Sequence, residues 1–129
     1  KPATSETVEN KEHFLKMNGK EVFKFAVTVI PDTVAKTLEK AGMEMSDIDS
    51  IVPHQANYRI TESVAQKMNI PIEKFYMNLD EYGNTSSATI PLALDEMNRK
   101  GMLKKGQKII LVGFGGGLTW GSVLINWQG

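Results

Sequence analysis

The sequence predicts an α/β fold in which helices cover both faces of a mixed sheet. Two short apolar runs, residues 49–54 and 108–113, have the length and β-branched composition of buried strands. Longer stretches with apolar residues at helical intervals lie before and between them. A last apolar run, from 118 or 119 to 127, follows a glycine-rich loop, and it therefore predicts a strand paired with 108–113 as in a hairpin.

The composition is that of one globular domain, with 129 residues, 41% of them hydrophobic and 23% charged. Fifteen basic residues balance 15 acidic ones, which argues against a nucleic-acid or polybasic membrane partner. No apolar run could span a bilayer and the first residues lack a secretory pattern, so we expect a cytoplasmic location. Cysteine is absent, which removes disulfides, thiolate metal sites and a cysteine nucleophile from this chain.

The first third of the chain predicts one long helix preceded by irregular structure. Residues 1–10 are polar and predict a loop, and residues 13–17 predict a short strand before an Asn-Gly turn at 18–19. From Lys20 the apolar residues recur with helical spacing until Gly42, a residue suited to a helix end. Pro31 lies inside this run, and we expect it to kink the helix or to split it into two.

The remaining elements alternate between helix and strand. A helix follows Ala56 and ends near Asn69, and residues 75–79 predict a weak strand before the Gly-Asn turn at 83–84. The next helix runs from about 86 to 99, with Pro91 in its early turns, where a missing N–H does little harm.

Three polar features follow predicted strands and are therefore expected to meet at one edge of the sheet: His54, Asn84 and the glycine loop at 115–117. No acidic residue completes a triad with them, and an amide cannot accept a proton. A neutral His and an Asn are better suited to donate two hydrogen bonds to one oxygen that becomes negative, as in an enolate. The simpler alternatives are a structural histidine and an asparagine that merely forms a turn.

The run Gly115-Gly116-Gly117 allows backbone N–H groups to approach a ligand closely. It lacks the Lys-Ser or Lys-Thr of a phosphate-binding P-loop, and a strand rather than a dinucleotide-binding helix follows it. An oxyanion hole is therefore favoured over a phosphate site, and the alternative is a tight turn between two strands. Both tryptophans are assigned to the core or to an interface.

Three separated motifs occur in an order that resembles one known family. They are His54-Gln55-Ala56-Asn57; Gly83-Asn84-Thr85-Ser86-Ser87-Ala88 with Pro91 downstream; and Gly113-Phe114-Gly115-Gly116-Gly117-Leu118-Thr119-Trp120-Gly121. Together they closely resemble the C-terminal half of β-ketoacyl-acyl carrier protein synthase III, and residues 17–23 resemble that family's segment at the substrate tunnel. The resemblance covers nearly all of residues 14–127.

The resemblance implies a thiolase-like αβαβα architecture, of which residues 1–129 would be an incomplete C-terminal domain, most of the second αβα half. It also implies roles for individual residues. His54 and Asn84 would be the catalytic pair, and the main chain of Gly116 would form part of the oxyanion hole. The pantetheine arm of coenzyme A would pass Gly19 and Asn57. The carrier protein would dock on a surface formed by Arg59, Gln55, Lys24 and Lys67. The family's nucleophilic cysteine belongs to an N-terminal half absent from this chain, so the chain alone is expected to be inactive.

The implied reaction is a decarboxylative Claisen condensation that starts fatty acid synthesis by joining an acyl-coenzyme A primer to malonyl-acyl carrier protein. The family resemblance further implies a homodimer with no metal and no cofactor, since coenzyme A thioesters are substrates. Two alternatives stay open. One is a starter-unit condensing enzyme of a polyketide or alkylquinolone pathway, and the other is a non-catalytic module that binds coenzyme A or carrier protein. A binding module has no use for two donors aimed at an anion, which favours an enzyme.

Overall fold

A computed structural model describes residues 1–14 and 16–129 of the chain. Its centre is a mixed three-stranded sheet in the order β1-β2-β3, formed by Ser50–Pro53, Lys108–Gly115 and Thr119–Asn126. The first two strands are parallel and the last two are antiparallel, joined by the glycine loop. The predicted strands and the hairpin are therefore confirmed, with bounds that differ by at most two residues.

In the described residues five α-helices accompany the sheet. They are α1 Ser5–Glu9, α2 Gly19–Ala41, α3 Tyr58–Met68, α4 Leu79–Tyr82 and α5 Thr89–Arg99, with 3-10 turns at Met45–Asp47, Ile72–Lys74 and Ser86–Ala88. None of these helices combines the length and the hydropathy that crossing a bilayer requires.

Alternation along the strands places a hydrophobic layer on each face of the sheet. Ile51 and Ile110 face one layer, which is completed by apolar side chains of α2 and α3. Val52 and Ile109 face the other, completed by Ala93 and other residues of α5 and its surroundings. Successive strand residues point to opposite faces, so continuously apolar strands require helices on both sides. The predicted fold class is confirmed.

Pro31 neither ends nor divides α2, which runs unbroken from Gly19 to Ala41. Of the two outcomes expected at Pro31, a kink or a split, the split is wrong. A proline has no N–H, so the carbonyl of Val27, four residues earlier, loses its usual helical donor. The ammonium group of Lys67 on α3 donates to that carbonyl at 3.3 Å. A neighbouring helix thus supplies the hydrogen bond that the proline removes.

The polar N-terminal segment is more ordered than its composition suggests. Residues 1–10 were expected to form a loop, but they contain α1, whose first turn is capped by reciprocal hydrogen bonds between Thr4 and Thr7. The short strand expected at 13–17 does not appear at residues 13–14 and 16–17, and Leu15 lies outside the described residues. Asn18 and Gly19 act as the N-cap and first residue of α2, not as a free turn.

The weak strand expected at 75–79 is also wrong, because only one isolated bridge forms there. Phe75 pairs with Ile51, and the N–H of Tyr76 donates to the carbonyl of Ile51 at 2.9 Å. The next backbone groups bond instead to the side chain of Gln55, which donates to the Tyr76 carbonyl at 3.3 Å and accepts from the Asn78 N–H at 2.7 Å. The Gln55 side chain therefore takes the place of the backbone hydrogen bonds that would have continued the strand beyond Tyr76.

Candidate active site

His54 lies directly after β1, at the carboxyl end of the parallel pair β1 and β2. Its N–H donates to the carbonyl of Val112 at 2.7 Å, which continues the strand pairing by one residue. Its ring packs edge-on against Phe114, with ring centroids 5.2 Å apart. Phe114 immediately precedes the turn of the glycine loop, so His54 and that loop lie at the same end of the sheet. The half-buried ring retains access to solvent.

One hydrogen-bond partner of the His54 ring is a hydroxyl group, beside the backbone of Ser86. Nδ1 lies 3.2 Å from Oγ1 of Thr89, the first residue of α5. Thr89 Oγ1 also lies 2.8 Å from the carbonyl oxygen of Ser86, and the Thr85 hydroxyl donates to it at 3.3 Å. A threonine has one proton to donate. If that proton goes to Ser86, Nδ1 of His54 carries a hydrogen and Nε2 a lone pair; if it goes to His54, the hydrogen is on Nε2.

Burial lowers the pKa of His54 below its ordinary value of 6.5, and a hydrogen bond to the Ser86 backbone opposes this shift in part. The cause is that a charged imidazolium loses hydration when the ring packs against Phe114 and Thr89. The neutral imidazole is therefore the main form at pH 7, and it can donate one hydrogen bond and accept another.

Asn84 contacts the same turn, residues 86–89, that the His54 ring contacts. It follows the helix α4, not a strand, which corrects the predicted path to this position. Its Oδ1 accepts from the N–H of Ser86 at 3.0 Å, and Ser86 adopts a left-handed φ of +55°. The amide nitrogen of this exposed residue has no hydrogen-bond partner among residues 1–14 and 16–129. His54 and Asn84 thus both contact the segment 86–89, one through Thr89 and the other through Ser86.

The glycine loop is exposed and forms the tight turn from β2 to β3. Gly117 requires glycine, because its φ is +134° and an added Cβ would lie 2.8 Å from the Thr119 side chain. An added Cβ at Gly116 would meet nothing within 4 Å. The Gly116 carbonyl accepts from the Thr119 hydroxyl at 2.9 Å, which fixes the orientation of the turn.

A buried polar network supports the chain on either side of His54 and Asn84. Gln55 has no exposed surface and bonds to the backbone of 76–78 as described above. Asn78, at the N-cap position of α4, donates through its side chain to Glu96 on α5 at 2.5 Å and makes no side-chain cap. Lys100 also bonds to Glu96, and these contacts with Lys100 and Asn78 hold the pKa of this carboxyl below its usual range. The network therefore links the residue after His54 to the helix that leads to Asn84.

The residues assigned to substrate and carrier-protein binding do not all lie on the surface. Asn57 and Arg59 are exposed at the start of α3, where Asn57 Oδ1 accepts from the Arg59 N–H at 2.9 Å. Gly19 and Lys24 are exposed on the first turns of α2, and Lys67 is exposed at the far end of α3 from Arg59.

Gln55 does not share this exposure. It has no accessible surface with which to contact a carrier protein, and we correct its assignment from docking residue to structural clamp. Lys67 is likewise engaged, by the carbonyl that Pro31 leaves free, although its side chain stays exposed.

The arrangement can provide two polar hydrogens beside a turn with free access to solvent, one from the Asn84 amide and one from His54 in the tautomer with hydrogen on Nε2. Such a pair suits an oxygen that gains negative charge. The described residues contain no group of three or more His, Cys, Asp or Glu side chains that could hold a metal ion. They also contain no carboxylate hydrogen-bonded to His54.

Comparison with known proteins decides which family uses this arrangement. The model of the family described as 3-oxoacyl-[acyl-carrier-protein] synthase III C terminal matches residues 38–127. The chain belongs to this family. The recognition from three sequence motifs is thereby confirmed.

Individual members of the synthase III family agree over most of the chain. A β-ketoacyl-[acyl-carrier-protein] synthase III of Clostridium acetobutylicum is 60% identical over 113 residues, which are 88% of this chain and 35% of the relative. One from Clostridium novyi is 60% identical over 130 aligned residues, covering 98% of this chain and 40% of the relative. The crystal structure of 3-oxoacyl-(acyl carrier protein) synthase III from Pseudomonas aeruginosa superposes with a TM-score of 0.88 at 44% identity, covering 99% of this chain and 39% of that one.

The synthase III relatives also fix the place of this chain in the fold. It spans only 35 to 40% of the length of these relatives, and it matches their C-terminal part. The thiolase-like α/β fold predicted for it is confirmed by the superposition.

Within this synthase III half, sequence reasoning missed the residues that hold the candidate pair in place. Thr89 lies five residues beyond Asn84, and its position at the start of a predicted helix suggested only capping. Glu96 and Asn78 are polar residues on elements predicted as amphipathic or weak, and nothing in the pattern distinguishes a buried carboxylate from a solvated one. A glutamate spaced four residues before a lysine was the one available signal, and it is common on exposed helices.

Proposed function

We propose that the protein carrying this chain is an initiating condensing enzyme of fatty acid synthesis. In this proposal it joins an acyl-coenzyme A primer to malonyl-acyl carrier protein and releases carbon dioxide, coenzyme A and 3-oxoacyl-acyl carrier protein. The similarity to proteins named β-ketoacyl-[acyl-carrier-protein] synthase III supports the reaction class. The observation that carries it in this chain is the pair His54 and Asn84, each with one donor left for a substrate beside the same turn.

The first half-reaction transfers the acyl group to a cysteine, which must come from outside this chain because the chain contains none. The thiol gives up its proton, its sulfur bonds to the acyl carbon, and the coenzyme A sulfur leaves as a thiolate that takes up the same proton, so that free coenzyme A thiol is released. His54 accepts the thiol proton at Nε2, which requires the form with hydrogen on Nδ1. The main-chain N–H of Gly116 donates to the oxygen that becomes negative in the tetrahedral intermediate.

The second half-reaction breaks the bond between the malonyl carboxylate and its methylene carbon. The electron pair moves into the thioester, and the resulting enolate carbon attacks the acyl-cysteine and displaces its sulfur. The negative charge accumulates on the thioester oxygen, where His54 Nε2–H and Asn84 Nδ2 donate hydrogen bonds. One oxyanion donor of this kind contributes on the order of 2 to 4 kcal/mol to the barrier.

The substrates would approach along the surface that leads to His54. We assign the pantetheine arm to Gly19 and Asn57, and the docking of an acidic carrier protein to Arg59, with Lys24 and Lys67 farther out on α2 and α3. All five residues are exposed, as an approach from solvent requires. The reaction needs no resident metal or organic cofactor, because the thioesters are themselves the substrates. A cytoplasmic homodimer completes the proposal.

The decisive experiment compares the two half-reactions in the full-length enzyme with Asn84→Asp. This change keeps the side-chain size but places an anion beside the thioester oxygen, so malonyl decarboxylation should be abolished. Acylation of the cysteine by acyl-coenzyme A should be largely retained, because it does not use the Asn84 donor. Both are measured separately, by radiolabelled carbon dioxide release and by intact-protein mass.

Asn98→Asp, an exposed position on α5, is the matched control and should leave both steps unchanged. If Asn84→Asp blocked acyl transfer as completely as decarboxylation, or left decarboxylation near wild type, the two-donor mechanism would be wrong. A wild-type enzyme with neither activity would refute the proposed function itself.

A further inference from the structure

The group that faces Nδ1 of His54 is a buried hydroxyl. Thr89 is only 2% exposed, and its Oγ1 lies 3.2 Å from the ring nitrogen. Many histidines in acid-base sites bond at this position to a carboxylate, which can only accept a hydrogen bond and therefore keeps the proton on Nδ1. A hydroxyl can accept from the ring or donate to it.

The proposed function requires both arrangements, and the present inference rests on it. To take a proton from the thiol, Nε2 must carry a lone pair, so that the neutral ring carries its hydrogen on Nδ1. To donate to the thioester oxygen of the malonyl group, Nε2 must carry the hydrogen and Nδ1 the lone pair. A fixed partner at Nδ1 would favour one half-reaction over the other.

We propose that Thr89 is a positioning residue whose hydroxyl supports both neutral tautomers of His54 in turn. With its proton on the Ser86 carbonyl at 2.8 Å, Thr89 accepts from Nδ1–H and leaves Nε2 free to accept. When the hydroxyl rotates so that its proton points to Nδ1, the Nε2–H tautomer is supported. The change of tautomer moves one proton from Nδ1 to water and one from water to Nε2, so the charge of the ring is unchanged.

The surroundings of Thr89 make this rotation feasible. Thr89 Oγ1 also accepts a hydrogen bond from the Thr85 hydroxyl at 3.3 Å, so it keeps a donor when the ring stops donating to it. Thr89 is the first residue of α5 and Ala88 is its N-cap, so the Thr89 hydroxyl does not cap the helix. The hydroxyl rotor is therefore the only part that has to move.

The test uses variants of the full-length enzyme that differ in what they can do at Nδ1. Thr89→Val removes the hydroxyl at nearly constant size and leaves the Ser86 backbone, which can only accept, as the hydrogen-bond partner of the ring. Thr89→Asn can donate or accept, and Thr89→Ser keeps a hydroxyl. Thr61→Val removes the hydroxyl of another buried threonine, on α3 and bonded to Met77, and serves as the control.

We expect Thr89→Val to acylate the cysteine within a few-fold of wild type but to lose malonyl decarboxylation by about 100-fold, the effect of one lost oxyanion donor. Thr89→Ser should keep both steps, and Thr89→Asn should decarboxylate faster than Thr89→Val. An equal loss in both half-reactions for the valine variant, or an asparagine variant no better than it, would overturn the inference. A wild-type enzyme without either step would instead overturn the proposed function.

Nitrogen-15 NMR of the His54 ring gives a second readout that does not depend on activity. In the wild type, binding of an unreactive malonyl-pantetheine analogue should move the hydrogen from Nδ1 to Nε2. In Thr89→Val it should remain on Nδ1. A wild-type ring that keeps the same tautomer with and without the analogue would overturn the role assigned to Thr89.

Discussion

Replacing Gln55 by leucine tests whether this residue belongs to a docking surface or to the interior. Leucine has nearly the same volume, so the packing around the fully buried side chain is kept. What is lost is one acceptor for the Asn78 N–H at 2.7 Å and one donor for the Tyr76 carbonyl at 3.3 Å. Both backbone groups then lie in the interior without a partner.

The structure allows the cost to be worked out. A buried polar group left without its hydrogen bond costs about 1 to 3 kcal/mol. The hydrogen bond from the Asn78 N–H is short and buried, so we assign its loss a cost in the middle of that range. The bond to the Tyr76 carbonyl is longer, and we assign its loss a cost at the lower end. We therefore expect Gln55→Leu to lower the free energy of unfolding by about 3 kcal/mol.

Chemical denaturation of the full-length protein measures this change, and Gln66→Leu on the exposed side of α3 is the matched control. The control should change the free energy of unfolding by less than about 0.5 kcal/mol. Affinity of the folded Gln55→Leu protein for carrier protein is measured alongside. A variant as stable as wild type that binds carrier protein poorly would refute the interior role and restore Gln55 to the docking surface.

Three further predictions concern single contacts. Arg59→Glu should weaken the malonyl-carrier protein step by about tenfold while leaving acyl transfer from coenzyme A intact, because a carrier protein is acidic; equal losses in the two separately assayed steps would exclude docking by Arg59. Lys67→Met should lower the free energy of unfolding by about 0.5 to 1 kcal/mol in the wild type. In a Pro31→Ala background the same change should cost almost nothing, because the N–H of Ala at position 31 then bonds to the carbonyl of Val27. Additive losses in the double-mutant cycle would contradict this. The acid limb of cysteine acylation should lie below pH 6.5, since burial lowers the pKa of His54 and Nε2 therefore keeps the lone pair that accepts the thiol proton to more acidic conditions than in the unfolded chain; a ring titration midpoint above 6.5 by NMR would refute it.

The sequence was sufficient for the sheet because its signals are local. Ile51, Val52 and residues 109–112 are apolar without interruption, and such strands require cover on both faces. The failed strand at 75–79 shows the limit of that reasoning. Its alternating pattern was adequate, but the backbone partners it needed were taken by Gln55, and no local pattern shows which side chain will compete for a ladder.

The candidate pair was predictable and its support was not. His54 and Asn84 are marked by motifs that a family shares, and the glycine loop is marked by composition alone. Thr89 and Glu96 acquire their roles through contacts with residues 35 and 18 positions away in the chain. The helix break expected at Pro31 failed for the same reason, because the hydrogen bond that replaces the missing one in α2 comes from Lys67, 36 positions later.

The outer edge of β3 has no strand beside it among residues 1–14 and 16–129. Proteins usually protect such an edge with lysine, proline or a bulge, and the sequence of Thr119–Asn126 contains no charged residue and no proline. Trp120 and Val123 on this strand are each about half exposed. A preparation of this chain by itself is therefore expected to self-associate through β3, with strands from two molecules adding edge to edge. Any use of this chain as an isolated domain would have to begin by introducing a charge on that strand, for example with Val123→Lys.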